Sequence, residues 1–278
     1  MRLIALTTLT MIAFAANSLL NRAGLAGDHI GPAGFALIRV VAGAVTLWGL
    51  VALGSRGLPQ RPRPDWVAVL ALVAYLLGFS FAYLALDAGL GALILFAVVQ
   101  VTMFAGAVIG GDMPPGRRWV GMAVSLCGLA YLVWPGADAR MDPLAIALMI
   151  VAAIGWGVYS LVGRRAEAPL EATTWNFIYA APLVLVAVLP FLRDERMGVV
   201  GVGLAIMSGA LTSGLGYALW YRVLPQLAAS TGALVQLSVP VIAIFAGVIF
   251  LGEDLSLRLV LASALVLGGI AVGLLPRR

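Results

Sequence analysis

Three of the amide side chains inside apolar stretches of this sequence could bind a polar solute. Asn17, Gln100 and Gln236 each fall within a run of mostly apolar residues. A buried amide is costly unless it is hydrogen-bonded, so each needs a polar partner. These side chains could bind the ammonium and carboxylate groups of a zwitterionic solute without a fixed charge. Alternatively, they could hydrogen-bond to neighbouring helices.

Two stripes of mostly aromatic residues recur at a spacing of four, so each stripe projects from one face of a helix. The first contains Tyr75, Phe79 and Tyr83; the second contains Ser213, Tyr217 and Tyr221, with Trp220 adjacent. Aromatic rings accept apolar groups and cations, and phenol oxygens add hydrogen bonds. The stripes predict a shared wall of a substrate site. The alternative is an aromatic belt at the membrane interface, which suits Tyr83 and Tyr221 near the ends of their runs.

A third polar and aromatic cluster, Trp156, Tyr159 and Ser160, is predicted to bind substrate at the level of Asn17. Pro240 is predicted to lie in the middle of a helix, where it would free a carbonyl group and form a kink or hinge. Arg39 is the one charged residue inside an apolar run, near enough to the external end of its helix for the side chain to extend there. It could attract a carboxylate or cap helix ends, and the structural role is favoured.

The elements that must position these residues are apolar runs of about 20 residues, the length that crosses a bilayer as a helix. The chain is 63% hydrophobic and 10% charged, with a mean hydropathy of +1.07. Ten runs are predicted, at 2–22, 33–54, 66–86, 90–110, 118–134, 143–163, 174–192, 199–222, 230–251 and 258–275. The single cysteine, Cys127, is expected to be a small core residue.

The two halves of the chain match each other. Residues 91–130 and 232–271 share 13 identities in 40 positions, and residues 4–22 and 146–164 share 7 in 19. The shift equals five runs, and an odd number of crossings reverses the orientation of the second copy. The sequence therefore predicts an all-α membrane protein of two inverted five-helix repeats, 1–137 and 138–278, a design that permits alternating access.

Arginine placement predicts the orientation in the membrane. If the N-terminus is cytoplasmic, loops on that side receive eleven arginines against five on the other. We therefore expect both termini in the cytoplasm of a bacterial cell, with the chain in the inner membrane. Arg2, the following apolar stretch and Ala13-Phe14-Ala15 also fit a secretory signal. The repeat match extends beyond that segment to Arg22 and Arg164, which favours a helix of the mature protein.

The sequence lacks the residues that catalysis, metal binding and nucleotide binding require. One histidine, one cysteine and no lysine provide no catalytic pair, metal-ligand set or P-loop, so we expect neither an enzyme nor a cofactor or metal ion. The basic residues flank membrane runs, so no nucleic-acid partner is expected. No Asp, Glu, Lys or His lies deep in a run, which predicts facilitated or weakly coupled transport without strict proton exchange.

The order and spacing of these motifs resemble one family. The motifs are Gly232-Ala-Leu-Val-Gln-Leu-Ser-Val-Pro240, Phe250-Leu-Gly-Glu253, the Gly-rich last run, Trp156-x-x-Tyr159, Arg39 and Tyr217-x-x-Trp220. The chain resembles the ten-span EamA branch of the drug/metabolite transporter superfamily, with its YddG-like aromatic amino-acid exporters as the nearest subgroup. The resemblance implies ten helices, cytoplasmic termini and export of small metabolites.

These features predict a monomeric or weakly dimeric secondary transporter whose substrate is an amino acid or related metabolite, with aromatic or bulky apolar ones first. The alternatives are a proton-coupled exporter of drugs or quaternary cations, and a channel or assembly subunit that does not transport by alternating access. Saturable flux with counterflow would separate a transporter from a channel.

Overall fold

The computed structural model describes residues 1–54, 63–111, 115–134, 142–164, 166–223, 226, 235–236 and 238–274. Within these residues the chain is helical and has no strand; an isolated antiparallel bridge joins Ile30 to Met197. The predicted all-α class is therefore confirmed for this part of the chain. The predicted boundary between repeats, at residues 137 and 138, lies outside the described residues.

The described helices follow the predicted apolar runs. They are α1 (Arg2–Ala26), α2 (Pro32–Gly54), α3 (Trp66–Ala82), α4 (Ala88–Ile109), α5 (Gly116–Val133), α6 (Pro143–Gly163), α7 (Pro169–Val188), α8 (Val199–Val223), α9 (Ser238–Leu251) and α10 (Leu257–Leu274). Two of them change pitch: α8 is π-helical over Ser208–Leu215, and α9 ends in a π-helical turn, Gly247–Leu251.

Helix length and composition indicate a membrane protein. Six described helices, α1, α2, α4, α6, α7 and α8, are long and apolar enough to cross a bilayer, while α3, α9 and α10 are shorter apolar helices. Large apolar side chains such as Val45, Trp48 and Phe250 are exposed on the outside of the bundle. Exposing so many apolar side chains would be costly in water but is favourable in lipid. Helices also suit lipid because they satisfy their own backbone hydrogen bonds.

Local signals explain where several helices begin and end. The Asp65 carboxylate accepts hydrogen bonds from the backbone N–H groups of Val67 and Ala68 at the start of α3. Asp142 caps α6 in the same way. Gly252 ends α9 with φ +67°, a left-handed conformation that glycine adopts without strain.

Glycines allow two pairs of helices to pack closely. On α5 and α10, Gly121 and Gly269 face each other so closely that a Cβ on Gly269 would lie 2.6 Å from the Gly121 carbonyl oxygen. Gly78 on α3 similarly faces the backbone of α6. Cys127, by contrast, lies exposed on α5, so its predicted core position is wrong.

Candidate functional site

A narrow cavity lies in the middle of the helical bundle, between α1, α3, α4, α6 and α8. It has about 320 Å³ of space free of atoms, including the part that opens to solvent. The lining residues are Phe14, Asn17, Ser18, Tyr75, Phe79, Leu95, Phe96, Trp156, Thr212 and Tyr217. Five predicted site residues therefore meet at one cavity: Asn17, Tyr75, Phe79, Trp156 and Tyr217.

The aromatic lining forms one contact cluster around Trp156. The ring centroid of Trp156 lies 5.0 Å from that of Tyr75 and 4.9 Å from that of Tyr217. Phe14 approaches Trp156 and Tyr217 edge-on, at 6.1 Å and 6.0 Å. The two predicted stripes, on α3 and α8, are thus joined through α6. The cluster offers ring faces and edges to a bound apolar or aromatic group.

Asn17 contributes polar groups to the lining of the cavity. Its Nδ2 donates a hydrogen bond to the Tyr75 hydroxyl at 3.1 Å, and its Oδ1 accepts one from Ser208 Oγ at 2.7 Å. Thr212 Oγ1 lies 3.1 Å from the same Oδ1. The amide is therefore satisfied by bonds between helices while its side chain also lines the cavity. Substrate binding by Asn17 stays a prediction.

Arg39 lies behind the cavity wall. Its side chain has 0% exposure, so the expected extension to the helix end is wrong. Its Nε donates to Ser213 Oγ at 3.1 Å and its Nη2 to the Tyr75 hydroxyl at 2.8 Å. The guanidinium carbon lies 5.0 Å and 4.9 Å from the ring centroids of Tyr75 and Phe79. Interior partners on α3 and α8 hold this cation inside the bundle.

Three hydroxyl residues of α8 complete the polar network, and they lie in its π-helical stretch. Ser208 and Thr212 contact Asn17, while Ser213 contacts Arg39. π-Helical turns are often found at functional sites, because they redirect side chains within a helix. Sequence reasoning did not identify Ser208 or Thr212; their signal was hydroxyl residues within an apolar run.

The other predicted site residues do not line this cavity. They are Tyr83, Gln100, Tyr159, Ser160, Trp220 and Gln236. Tyr83 is fully buried with its ring 4.7 Å from that of Phe79, so an interfacial belt is the wrong interpretation of this residue. The Tyr159 hydroxyl donates to Thr173 at 3.1 Å, and Ser160 bonds within its own helix. Gln100 is half-buried on α4, while Gln236 is buried.

Pro240 is buried on α9. Residues 235 and 236, before it, are also helical, and residue 237 lies outside the described residues. The mid-helix position of Pro240 and a hinge at this residue stay predictions.

One end of the bundle is tied together by two glutamates. Glu253, just after α9, accepts hydrogen bonds from the N–H groups of Ala88 at 2.6 Å and Gly89 at 3.3 Å, at the start of α4. Glu195, just after α7, accepts from Ala33 and Gly34 at 2.9 Å and 2.8 Å, at the start of α2. Carboxylates are favoured at helix N-termini by the free N–H groups and the helix dipole. Both glutamates join a second-half loop to a first-half helix.

Glu253 also has charged neighbours. Its carboxylate lies 3.9 Å from the Arg22 guanidinium, which pairs with Asp87 at 3.1 Å. Burial raises the pKa of Glu253 above its ordinary value, although the bonds from Ala88 and Gly89 oppose the shift. Glu253 is thus a partly buried titratable group at this end of the bundle. The sequence places it in a family-like motif but does not reveal its contacts, because its partners are distant along the chain.

These observations define a class of protein: a helical, multi-pass membrane protein with an aromatic and polar cavity at its centre. The profile of the EamA-like transporter family matches residues 143–275. An uncharacterised protein of Pseudomonas aeruginosa is 44% identical over 278 residues, covering 99% of this chain and 96% of its own. The chain belongs to the EamA-like transporter family.

A more distant relative and a solved structure extend this assignment. The relative, named a probable terminal-alkyne amino-acid exporter, is from Streptantibioticus cattleyicolor. It is 25% identical over 256 residues, which is 88% of this chain and 84% of that protein. A crystal structure at 19% identity covers 96% of this chain and 98% of its own, with a TM-score of 0.67. That likeness concerns the fold alone.

Proposed function

We propose that this protein is a secondary transporter that exports amino acids, with aromatic or bulky apolar ones as preferred substrates, across a bacterial inner membrane. Movement is facilitated or weakly coupled, and it proceeds by alternating access of two inverted five-helix repeats. In this proposal the protein functions like the aromatic amino-acid exporters of its superfamily.

The lining of the cavity is the main support for the proposed substrate class. Its aromatic cluster gives an apolar side chain several ring surfaces, and the Asn17 network lies beside it. Ligand sites typically combine an apolar lining with a few placed polar groups. An amino acid with an apolar side chain likewise combines an apolar part with polar ammonium and carboxylate groups. The relative named as a probable terminal-alkyne amino-acid exporter agrees with this substrate class.

The arrangement of matched residues supports the inverted repeat. At the shift of 142 residues, Phe14 corresponds to Trp156 and Tyr75 to Tyr217. All four rings belong to one cluster, in which the Phe14–Tyr217 contact corresponds to the Trp156–Tyr75 contact. Such reciprocal contacts are expected when a two-fold axis passes through the cavity.

Helix packing supports the same symmetry. Exchanging each helix for the one five positions away turns the α3–α6 contact into α8–α1, and both pairs pack together. The contacts α2–α7 and α5–α10 map onto themselves, and both are extensive. A pseudo-two-fold axis in the membrane plane gives the alternating-access mechanism its structural basis.

With cytoplasmic termini, the end tied by Glu195 and Glu253 faces outside. The carboxylates, the Arg22–Asp87 pair and the Ile30–Met197 bridge hold helix ends and loops together there. The structure would then correspond to a state closed towards the outside. Export requires these contacts to separate.

Counterflow in liposomes tests the function. Purified protein should exchange labelled L-phenylalanine for internal unlabelled amino acid with saturation, and Phe79→Ala, Trp156→Ala and Tyr217→Ala should each lower the rate. We expect roughly tenfold losses, since one buried aromatic contact contributes about 0.5–1.5 kcal/mol beyond its burial. The exposed Trp48 on α2 provides a matched control, Trp48→Ala, which should transport normally.

Unchanged transport in all three cavity variants would remove the cavity assignment. Flux without saturation or counterflow would instead indicate a channel. Transport that depends strictly on an imposed pH gradient would contradict facilitated movement.

A further inference from the structure

Arg39 is a fully buried cation, and no anionic partner is found for it among the residues that the structure describes. Its side chain has 0% exposure, and none of the ion pairs among the described residues includes it. Its two hydrogen-bonded nitrogens donate to neutral hydroxyl groups, those of Ser213 and Tyr75. Hydroxyls and ring faces compensate a buried charge only partly, so an arginine in this position normally needs an anion.

Two hydrogen-bond donors near the cavity also lack an acceptor. Within the described part of the chain, Arg39 Nη1 and the Tyr217 hydroxyl are both buried without a hydrogen-bond partner. Tyr217 lines the cavity, and Arg39 stacks on Tyr75 and Phe79, which line it too. The Tyr217 hydroxyl therefore belongs to a lining residue of the cavity, and Arg39 lies directly behind two other lining residues. Buried polar groups are rarely left unpaired, and each such group requires an explanation.

Tyr75 adds a third donor at this wall. Its hydroxyl oxygen already accepts hydrogen bonds from Asn17 Nδ2 and Arg39 Nη2, at 3.1 Å and 2.8 Å. A phenol that accepts two bonds still has its own hydrogen to donate. Arg39 and the neighbouring Tyr75 and Tyr217 hydroxyls thus combine hydrogen-bond donors with one full positive charge. The missing ligand group is an acceptor with negative charge.

We propose that Arg39, with Tyr75 and Tyr217, binds the carboxylate of the transported molecule. This inference rests on the proposed transport function and specifies how its substrate is recognised. A guanidinium and a carboxylate form charge-assisted hydrogen bonds of good geometry, which explains an arginine at this position. The apolar part of the substrate then contacts Phe14, Phe96 and Trp156.

The same geometry disfavours cations without a carboxylate. Aromatic walls alone would attract a quaternary ammonium group, but the Arg39 charge beside Tyr75 and Phe79 repels it. In an interior of low dielectric constant this repulsion is stronger than in water. The site therefore selects organic anions and zwitterions.

Ligand-induced thermal stabilisation of the purified full-length protein tests this assignment without depending on transport. The probes are L-phenylalanine, 3-phenylpropionate, which lacks the ammonium group, and phenethylamine, which lacks the carboxylate. A branched aliphatic acid, 4-methylpentanoate, covers a different side chain. We expect the carboxylates to stabilise the protein and phenethylamine to have little effect.

Arg39→Met should weaken binding of 3-phenylpropionate roughly 10- to 100-fold, the range for hydrogen bonds to charged groups. Arg39→Lys keeps the charge but loses the planar donor pair, so it should restore part of the affinity. Arg196, which is exposed and pairs with Asp28, provides the control Arg196→Met, and this variant should bind normally. If Arg39→Met does not fold, the affinity of Arg39→Lys for 3-phenylpropionate and the relative affinities of the probes for the native protein still test the proposal.

Phenethylamine binding as well as 3-phenylpropionate would overturn the inference. Unchanged 3-phenylpropionate affinity in Arg39→Met would do so as well, as would failure of every carboxylate to bind. Absence of L-phenylalanine counterflow in the native protein, with carboxylate binding intact, would count against the transport proposal and leave carboxylate recognition standing.

Discussion

Asn17 links three helices through a single side chain. Its amide contacts Tyr75 on α3 as well as Ser208 and Thr212 on α8. We expect Asn17→Ala to lower the unfolding free energy by about 1–3 kcal/mol, because buried partners lose their bonds. Thermal unfolding in lipid nanodiscs would measure it. Thr10→Ala on the same helix removes only a bond to the Leu6 carbonyl and should cost less; equal shifts in the two variants would contradict the network.

The sequence predicts some of these residues and not others for a physical reason. The spacing of four places Tyr75 and Phe79 on one helix face, because the helix period is a local property. Arg39 was assigned the wrong environment since its partner Ser213 lies 174 positions away. Only the packed bundle brings the two together. Gln100 was predicted to bind substrate, but it does not line the cavity. A polar residue in an apolar run need not face the cavity, because the run alone does not specify which neighbours its helix packs against.

At the scale of elements, the α5–α10 contact depends on glycine. A Cβ on Gly269 would lie 2.6 Å from the Gly121 carbonyl oxygen and 2.6 Å from Ser125 Oγ. The neighbouring Gly268 has open space around it. We expect Gly269→Ala to destabilise the protein by about 1–3 kcal/mol through overpacking, and Gly268→Ala to have little effect. Thermal melting of the two variants side by side decides; equal melting temperatures would show that the helices separate at no cost.

Helix existence was predictable because apolar runs of sufficient length have few alternatives in a membrane. The changes from α-helical to π-helical pitch in α8 and α9 were not predictable in this way. In the π-helical stretch of α8, Ser208 and Ser213 contact α1 and α2, and after the turn at Gly252 the Glu253 carboxylate contacts α4. These irregularities lie where helices contact each other. They also place the groups that the candidate site and the tied end require.

For the whole molecule, the proposed opening of the tied end should depend on pH. Burial raises the pKa of Glu253, while the N–H groups of Ala88 and Gly89 lower it, Asp87 raises it, and Arg22 lowers it. In the proposed open state this side chain is exposed and titrates near its ordinary value of 4.5. Protons therefore bind more tightly to the closed end. The stabilisation of the closed end is complete below that ordinary value and is lost as pH rises through the raised pKa.

We expect counterflow limited by opening of this end to become faster as pH rises from 4.5 towards neutrality, with pH equal on both sides. Glu253→Gln copies the neutral form, keeps one acceptor oxygen for α4 and should give slow exchange at every pH. Asp194→Asn changes an exposed carboxylate in the loop after α7 and should keep the native profile. Equal pH on the two sides removes any proton gradient, so the profile reports the equilibrium between closed and open ends alone. A native rate that falls with rising pH, or a Glu253→Gln rate that still follows the native profile, would mean that another group controls the opening of this end.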